Sequence, residues 1–307
     1  MKLLGISKST NGSVLLTGFS GFIGPHVSRA LIEQGIHVVA VVRSLNRRSE
    51  AISQQQGIDL EIGDLADANF VAGIETKPFC IIHLAANSGR TTSDTADLYR
   101  DNVLSTVNLL ELAANRNCSK FIYASSVSVF GEIAVSPLKR SNVPQASSPY
   151  GRSKLMAEDF LRSRGSGIGR VALQLPGVLG PGAPNHLLTS LVRKAIQGDE
   201  ITLWNGNSLF NNVLNVSDLS RFIVKLALKA SDPTFDAFPL ASSDAIRMKE
   251  VVELIKLRAM SSSPVREVSL KKKSFFIDDE YARSVFGYES LTTREAIAQF
   301  VDSRLKK

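Results

Sequence analysis

From Ser13 to Leu175 the chain alternates short, β-branched apolar runs with longer stretches whose apolar residues recur at helical spacing. Six runs read as strands: SVLLTG (13–18), HVVAVVR (37–43), IDLEIGD (58–64), FCIIHLAA (79–86), KFIYASS (120–126) and RVALQLP (170–176). Helical periods fall between them near Gly24 to Gln34, Asp97 to Arg116 and Pro149 to Arg164. Strands this continuously apolar need cover on both faces, which helices on either side of a parallel sheet provide. The expected fold is therefore α/β, with a doubly wound parallel sheet.

After Pro176 the rhythm changes. Residues 177–184 (GVLGPGAP) read as a loop, followed by a helix from His186 to Gln197 and a turn in ITLWNGN. A smaller second lobe is expected to start there. The segment Ser217 to Lys229 reads as a helix returning to the main sheet, which makes the lobe discontinuous.

Composition narrows the class. The chain has 307 residues, 44% hydrophobic and 21% charged, enough to bury a substantial core. Residues 1–12 turn polar too soon for a signal peptide and read as a loose leader. No stretch approaches the roughly 18 apolar residues of a membrane span, so the expected location is cytoplasmic and no membrane partner is expected. Cys80 and Cys118 each sit beside an apolar run and read as packing residues. The net charge of +7 suits an anionic ligand or a solvated surface. The dense run Lys271-Lys272-Lys273 comes with no nucleic-acid motif and reads as a solvated edge, so no nucleic-acid partner is expected. No metal site is expected.

The first strand runs into Thr17-Gly18-Phe19-Ser20-Gly21-Phe22-Ile23-Gly24 and then a helix. In that context Gly18 permits a tight turn, Gly21 lets the backbone approach a pyrophosphate, and Gly24 allows helix and strand to pack closely. The phosphates would rest on the helix start at Phe22, Ile23 and Gly24, where backbone N–H groups and the dipole favour anions. This makes the fold Rossmann-like. It divides the chain into a leader (1–12), a dinucleotide-binding domain (13–175) and a mainly substrate-binding lobe (176–307), with about 213–242 returning to the first domain. The second strand ends at Arg43, with Arg47 and Arg48 behind it and no acid. A carboxylate there accepts from the adenosine ribose, whereas an arginine pairs with a 2′-phosphate, so NADP(H) is favoured over NAD(H). Asp64, before Leu65 at the end of the third strand, is placed to accept the adenine amino group.

Tyr150-Gly-Arg-Ser-Lys154 opens a helix behind Ser147-Ser148-Pro149, serines for capping and a proline for the first turn. The i, i+4 spacing puts phenol and ammonium on one face. A free phenol has a pKa of about 10, and a neighbouring cation favours the phenolate, bringing it toward a useful acid-base range. Lys154 is also a donor for the nicotinamide ribose. The strand FIYASS ends in hydroxyls at the carboxyl edge, where α/β folds bind ligands.

Taken together, TGFSGFIG, GDLAD, HLAA, NVLSTVNLLELA, YASSVSVFG, YGRSK, LPGVLGPG and VLNVSDL resemble an extended short-chain dehydrogenase/reductase of the nucleotide-sugar epimerase and reductase group. The resemblance covers nearly the whole chain. It implies that Ser126 hydrogen-bonds the reacting carbonyl, with Ser125 and Ser128 as fallback. It also implies that Asn102 supports the site, that the backbone around His83 and Ala85 lines the cofactor, and that Pro176 lies near the nicotinamide. A dimer through the helices Asp97–Arg116 and Pro149–Arg164 is a further implication.

Departures from the pattern carry information too. Family dehydratases carry an acid after the active-site serine, where this chain has Val127-Ser128, so dehydration is not expected. Many UDP-sugar members place an arginine in a segment like Leu209–Val213, which has none here, and Leu175 replaces a usual arginine before Pro176. Other bases, or a substrate without a nucleotide, stay open. The expected activity is NADP(H)-dependent reduction of a keto group, the 4-keto group of a nucleotide-linked deoxysugar, with Tyr150 as proton donor. An NAD-dependent nucleotide-sugar 4-epimerase is the nearest alternative, and a non-catalytic dinucleotide-binding regulator the alternative from another class.

Overall fold

The computed structural model describes residues 12–45, 50, 56–89, 94–133, 135–165, 167–184, 186–230, 234–269 and 275–306. Residues 1–11 of the leader, Arg47, Arg48 and Lys271-Lys272-Lys273 lie outside them.

The apolar runs form strands: β1 (Ser13–Thr17), β2 (His37–Val42), β3 (Ile58–Ile62), β4 (Pro78–His83), β5 (Lys120–Ser126) and β6 (Gly169–Leu175). With β11 (Phe235–Pro239) they make a mostly parallel seven-stranded sheet in the order β11-β6-β5-β4-β1-β2-β3. Thr17, His83 and Tyr123 stand at one level across β1, β4 and β5. The continuous apolarity has its expected consequence, since every residue of β6 is buried.

Helices flank the sheet: α1 (Gly24–Ile32), α2 (Ala68–Ala72), α3 (Thr95–Tyr99), α4 (Ser105–Asn115) and α5 (Pro149–Ser163). The predicted helix from Asp97 is interrupted. A π turn, Arg100–Leu104, joins α3 to α4.

The chain divides into two compact units. One comprises the described residues up to Ala124 with Met156–Val171 and Val224–Asp236; the other comprises Ser125–Leu155, Ala172–Ile223 and Ala237–Lys307. In the first unit, buried and half-buried cations close helix ends, where carbonyls lack partners and the dipole is negative. Arg116 donates to Ile74 O at 2.8 Å behind α2. Arg170 donates to Leu161 O at 3.0 Å and to Arg164 O at the end of α5. Buried Lys120 donates to Leu226 O and Lys229 O at the end of a helix that starts in the second unit, α7 (Val216–Leu228). Cys80 and Cys118 are buried free thiols. Burial raises both, Cys118 to about 11.

The second unit contains α6 (Leu187–Gln197), α8 (Met248–Arg258), α9 (Glu280–Phe286), α10 (Thr293–Leu305) and three two-stranded sheets. The pairs are β7 (Gly177–Leu179) with β10 (Val213–Asn215), β8 (Ile201–Trp204) with β13 (Val265–Val268), and β9 (Leu209–Phe210) with β12 (Ile246–Arg247). Residues 177–184 are thus not all loop: the first three form β7, stabilised by a partner distant in sequence that no local signal reveals.

Side chains tie these short pieces together. Asn211 donates to Ile277 O (2.8 Å) and Ser242 O (3.3 Å) and accepts from Ile277 N (2.8 Å). Buried Asp218 accepts from Leu291 N at 2.8 Å, and the Tyr288 hydroxyl donates to Ala241 O at 3.0 Å.

Candidate active site

The glycine turn is a tight backbone cradle. Gly18 has φ +73°, and a Cβ on it would come within 2.7 Å of Ala85 N. A Cβ on Gly24 would lie 2.4 Å from Gly18 O, so α1 can start against the turn only without a side chain there. Gly21 N–H donates to Gly18 O at 3.0 Å. The cap of α1, Ile23, offers no side-chain acceptor, and the first turn holds no acid. This is the arrangement an anion at a helix start needs, and the cradle therefore fits a dinucleotide pyrophosphate. Phe22 packs edge-on to His26, with centroids 5.8 Å apart.

Behind the cradle lies a buried polar chain. Thr106 Oγ1 donates its single proton to Asn102 O at 2.7 Å, so toward His83 Nε2, at 3.2 Å, it accepts. His83 therefore carries its proton on Nε2, and Nδ1 accepts from the Thr17 hydroxyl at 2.7 Å. Thr17 Oγ1 in turn accepts from Ala85 N. His83 is fully buried, and these bonds tie β1, β4 and α4 together. Asn102, in the π turn, clamps the Asn87 backbone from both sides: Asn87 N donates to its Oδ1 (2.7 Å), and its Nδ2 donates to Asn87 O (2.9 Å). Single π turns inside helices are frequent at functional sites.

Two further candidate residues join through partners that sequence reasoning missed. Arg43 Nη2 lies 3.2 Å from Asp101 Oδ2, and Arg100 bridges Asp101 (3.1 Å) to Asp64. Burial alone would raise the Asp64 carboxyl, but the Ala66 N–H, Arg100 and Arg43 together hold it below the usual range. Leu65 contributes its carbonyl to Asn108 at 2.9 Å. The 2′-phosphate role expected of Arg43 meets an arginine already matched by a carboxylate. Nothing in the local sequence of Arg43 announces Asp101, because the pairing is made by the fold.

In the second unit, β5 delivers its last residue, Ser126, into a 3-10 turn, Val127–Phe130. Ser126 Oγ accepts from Ser128 N and donates to Ser128 Oγ, both at 3.1 Å. Ser126 and Ser128 are half-buried, whereas Ser125 is buried. Ser148 caps α5 by accepting from Gly151 N at 3.0 Å. A Cβ on Gly151 would stand 2.4 Å from Ser128 O, so the helix start carrying Tyr150 packs backbone to backbone on the serine turn. Gly151 was also missed, although a glycine inside a helix, which costs about 1 kcal/mol, is the signal for such an approach. Tyr150 is half-buried and Lys154 is buried, four residues apart on α5. Pro176, half-buried, directly follows β6.

Among the described residues no helix is long and apolar enough to cross a membrane, and no group of three or more His, Cys, Asp or Glu is placed to hold a metal ion.

Comparison with known proteins gives these residues a family. The chain is 32% identical over 219 residues to UDP-glucuronate 4-epimerase 1 of Arabidopsis thaliana, covering 66% of this chain and 51% of that protein. It spans about half the length of the first curated relatives it matches. The structure of the Bordetella bronchiseptica enzyme WbmG in complex with NAD and UDP superimposes with a TM-score of 0.85 at 20% identity, covering 97% of this chain and 96% of that one, which shows a shared fold. MoeE5, solved with UDP-glucuronic acid and NAD, is 27% identical with a TM-score of 0.80, over 96% of this chain and 99% of that one. The NADP preference expected from Arg43 gains no support from these relatives. The sequence profile of the NAD dependent epimerase/dehydratase family matches residues 14–239. With three-quarters of its length matched and the glycine cradle in place, the chain belongs to that family, within the extended short-chain dehydrogenases/reductases.

Proposed function

We propose that this protein is an NAD-dependent 4-epimerase acting on a UDP-linked hexose or hexuronic acid. The family match over residues 14–239, together with relatives named as 4-epimerases, carries this reading and favours it over the NADP-dependent reductase expected from Arg43. Gly18, Gly21, Phe22, Ile23 and Gly24 hold the pyrophosphate, Asp64 and Leu65 serve the adenine end, and Ala85, Pro176 and Lys154 serve the nicotinamide end. A dinucleotide held there would supply reversible hydride chemistry at the sugar carbon. Tyr150 removes the proton of the C4 hydroxyl and gives it back to the same oxygen. Ser126 donates to that oxygen while it is a carbonyl, and Lys154 keeps a positive charge on the helix face of Tyr150, favouring the phenolate. Val127-Ser128 stand where a dehydratase carries an acid, so that position offers no carboxyl to protonate a departing hydroxyl.

The test incubates the protein with UDP-glucose, UDP-galactose and UDP-glucuronate and follows the C4 epimers by proton NMR, with nicotinamide absorbance read alongside. Interconversion without net nicotinamide consumption is expected. Stoichiometric oxidation of NADPH on a 4-keto sugar would restore the reductase reading.

A further inference from the structure

In a dinucleotide-binding strand order, the position just after the second strand meets the adenosine ribose: a carboxylate accepts from the 2′-hydroxyl, and an arginine receives a 2′-phosphate. Arg43 occupies that position, directly after β2. By itself it assigns NADP. The structure matches Arg43 with Asp101 instead, at 3.2 Å. The Arg43 side chain is 67% exposed and that of Asp101 only 9%, so the carboxylate is the buried partner and the guanidinium the exposed one.

Three further contacts fix Asp101. Arg100 Nη1 lies 3.1 Å from its Oδ1, Asn87 Nδ2 donates to its Oδ2 at 3.1 Å, and its own carbonyl accepts from Ser105 Oγ at 2.5 Å. The neighbouring Asn102 clamps the Asn87 backbone, so a carboxylate that swung away from Arg43 would give up its contacts with the Asn87 and Arg100 side chains. Arg100 also reaches Asp64, which gives a cluster of two guanidinium groups and two carboxylates with no net charge. A phosphate monoester brings about 1.5 to 2 negative charges at neutral pH. Arriving at Arg43, it would have to displace Asp101 from the arginine or share the arginine with it. A neutral ribose hydroxyl meets neither obstacle.

We propose that Asp101 is the residue that makes this chain select NAD over NADP, by cancelling Arg43. It acts through Arg43 rather than by touching the reacting atoms, and so specifies the cofactor in place of the acid missing at the end of β2. This rests on the proposed dinucleotide-dependent function.

The test measures NAD and NADP dissociation constants by titration calorimetry on the full chain and on Asp101→Asn, Arg43→Ala and the double variant. The wild-type protein is expected to bind NAD at least about tenfold tighter than NADP, and Asp101→Asn to move that ratio about tenfold or more toward NADP, the scale of one charge-assisted hydrogen bond. Arg43→Ala alone should change the ratio less than about threefold, and in the Asp101→Asn background it should abolish the gain. If Asp101 were merely structural, its substitution would weaken both cofactors alike and leave the ratio unchanged, which overturns the inference. So would a tenfold loss of NADP affinity in Arg43→Ala alone, a result that stands even if Asp101→Asn fails to fold. Binding of neither dinucleotide by the wild-type protein would instead remove the functional reading beneath it.

Discussion

In the first unit, β1 to β4 lie side by side in a parallel ladder whose hydrogen bonds run backbone to backbone, and charged side chains serve mainly at helix ends and in the Arg43–Asp64 cluster. In the second unit, the strands outside the seven-stranded sheet are two to four residues long and pair only two at a time, so much of the cross-linking passes from a side chain to a distant backbone group. A ladder distributes its stabilisation over many equivalent bonds, and no single side chain is decisive. A clamp such as Asn211 concentrates it. If Asn211 is lost, Ile277 N, Ile277 O and Ser242 O lose their partner together, and buried polar groups without partners are costly.

Four measurements sharpen or break this contrast. The largest effect is expected from Tyr150→Phe. Phenylalanine keeps the ring and removes only the hydroxyl, and it leaves the glycine cradle and Lys154 in place. Turnover should therefore fall about 100- to 10,000-fold, the usual range for losing an acid-base group, while NAD affinity stays within about twofold. Retained turnover would remove Tyr150 from the chemistry.

Next comes Asn211→Ala, with a loss of about 3 kcal/mol in urea unfolding from three buried backbone groups left unpaired. A loss under about 1 kcal/mol would mean that the clamp matters no more than a ladder bond.

The third concerns alkaline pH and belongs to the first unit. Cys118 is raised from 9.0 to about 11 by burial, so between those values the folded state keeps a proton that the unfolded state releases. Its contribution is full below about pH 9 and lost as pH rises through about 11, about 3 kcal/mol in all. Cys118→Ala should flatten that part of the stability profile relative to wild type. Parallel slopes in the two proteins would contradict the burial of this thiol.

The smallest effect is expected at Thr292, which accepts from Glu295 N at 3.2 Å while Glu295 accepts from Thr292 N at 2.9 Å, a reciprocal cap on α10. Thr292→Ala should cost about 1 kcal/mol. Comparing it with Asn211→Ala in the same unit separates a local cap from a long-range clamp, and equal losses would deny the distinction.

How much was legible follows the same division. The strands β1 to β6 and the helices α1 and α5 could be read to within a few residues, because apolar period, glycine turn and proline-serine start are properties of neighbours in the chain. So could Gly18, Gly21 and Gly24, whose need for close backbone approach is local. The helix starting near Asp97 was read as continuous, since its apolar period runs through the π turn and nothing in that period marks the wider turn at Arg100–Leu104. β7 was read as loop because three residues gain strand character only from their partner β10.

By itself, then, the sequence determined the α/β class, the tight glycine cradle and the Tyr150-Lys154 spacing, each encoded over a few consecutive residues by sterics and periodicity. The tertiary structure decided which charges meet. Arg43 reads as a phosphate ligand along the chain and becomes a matched ion only when the π turn brings Asp101 to 3.2 Å, where Coulomb attraction is set by distance in space and not by separation in sequence.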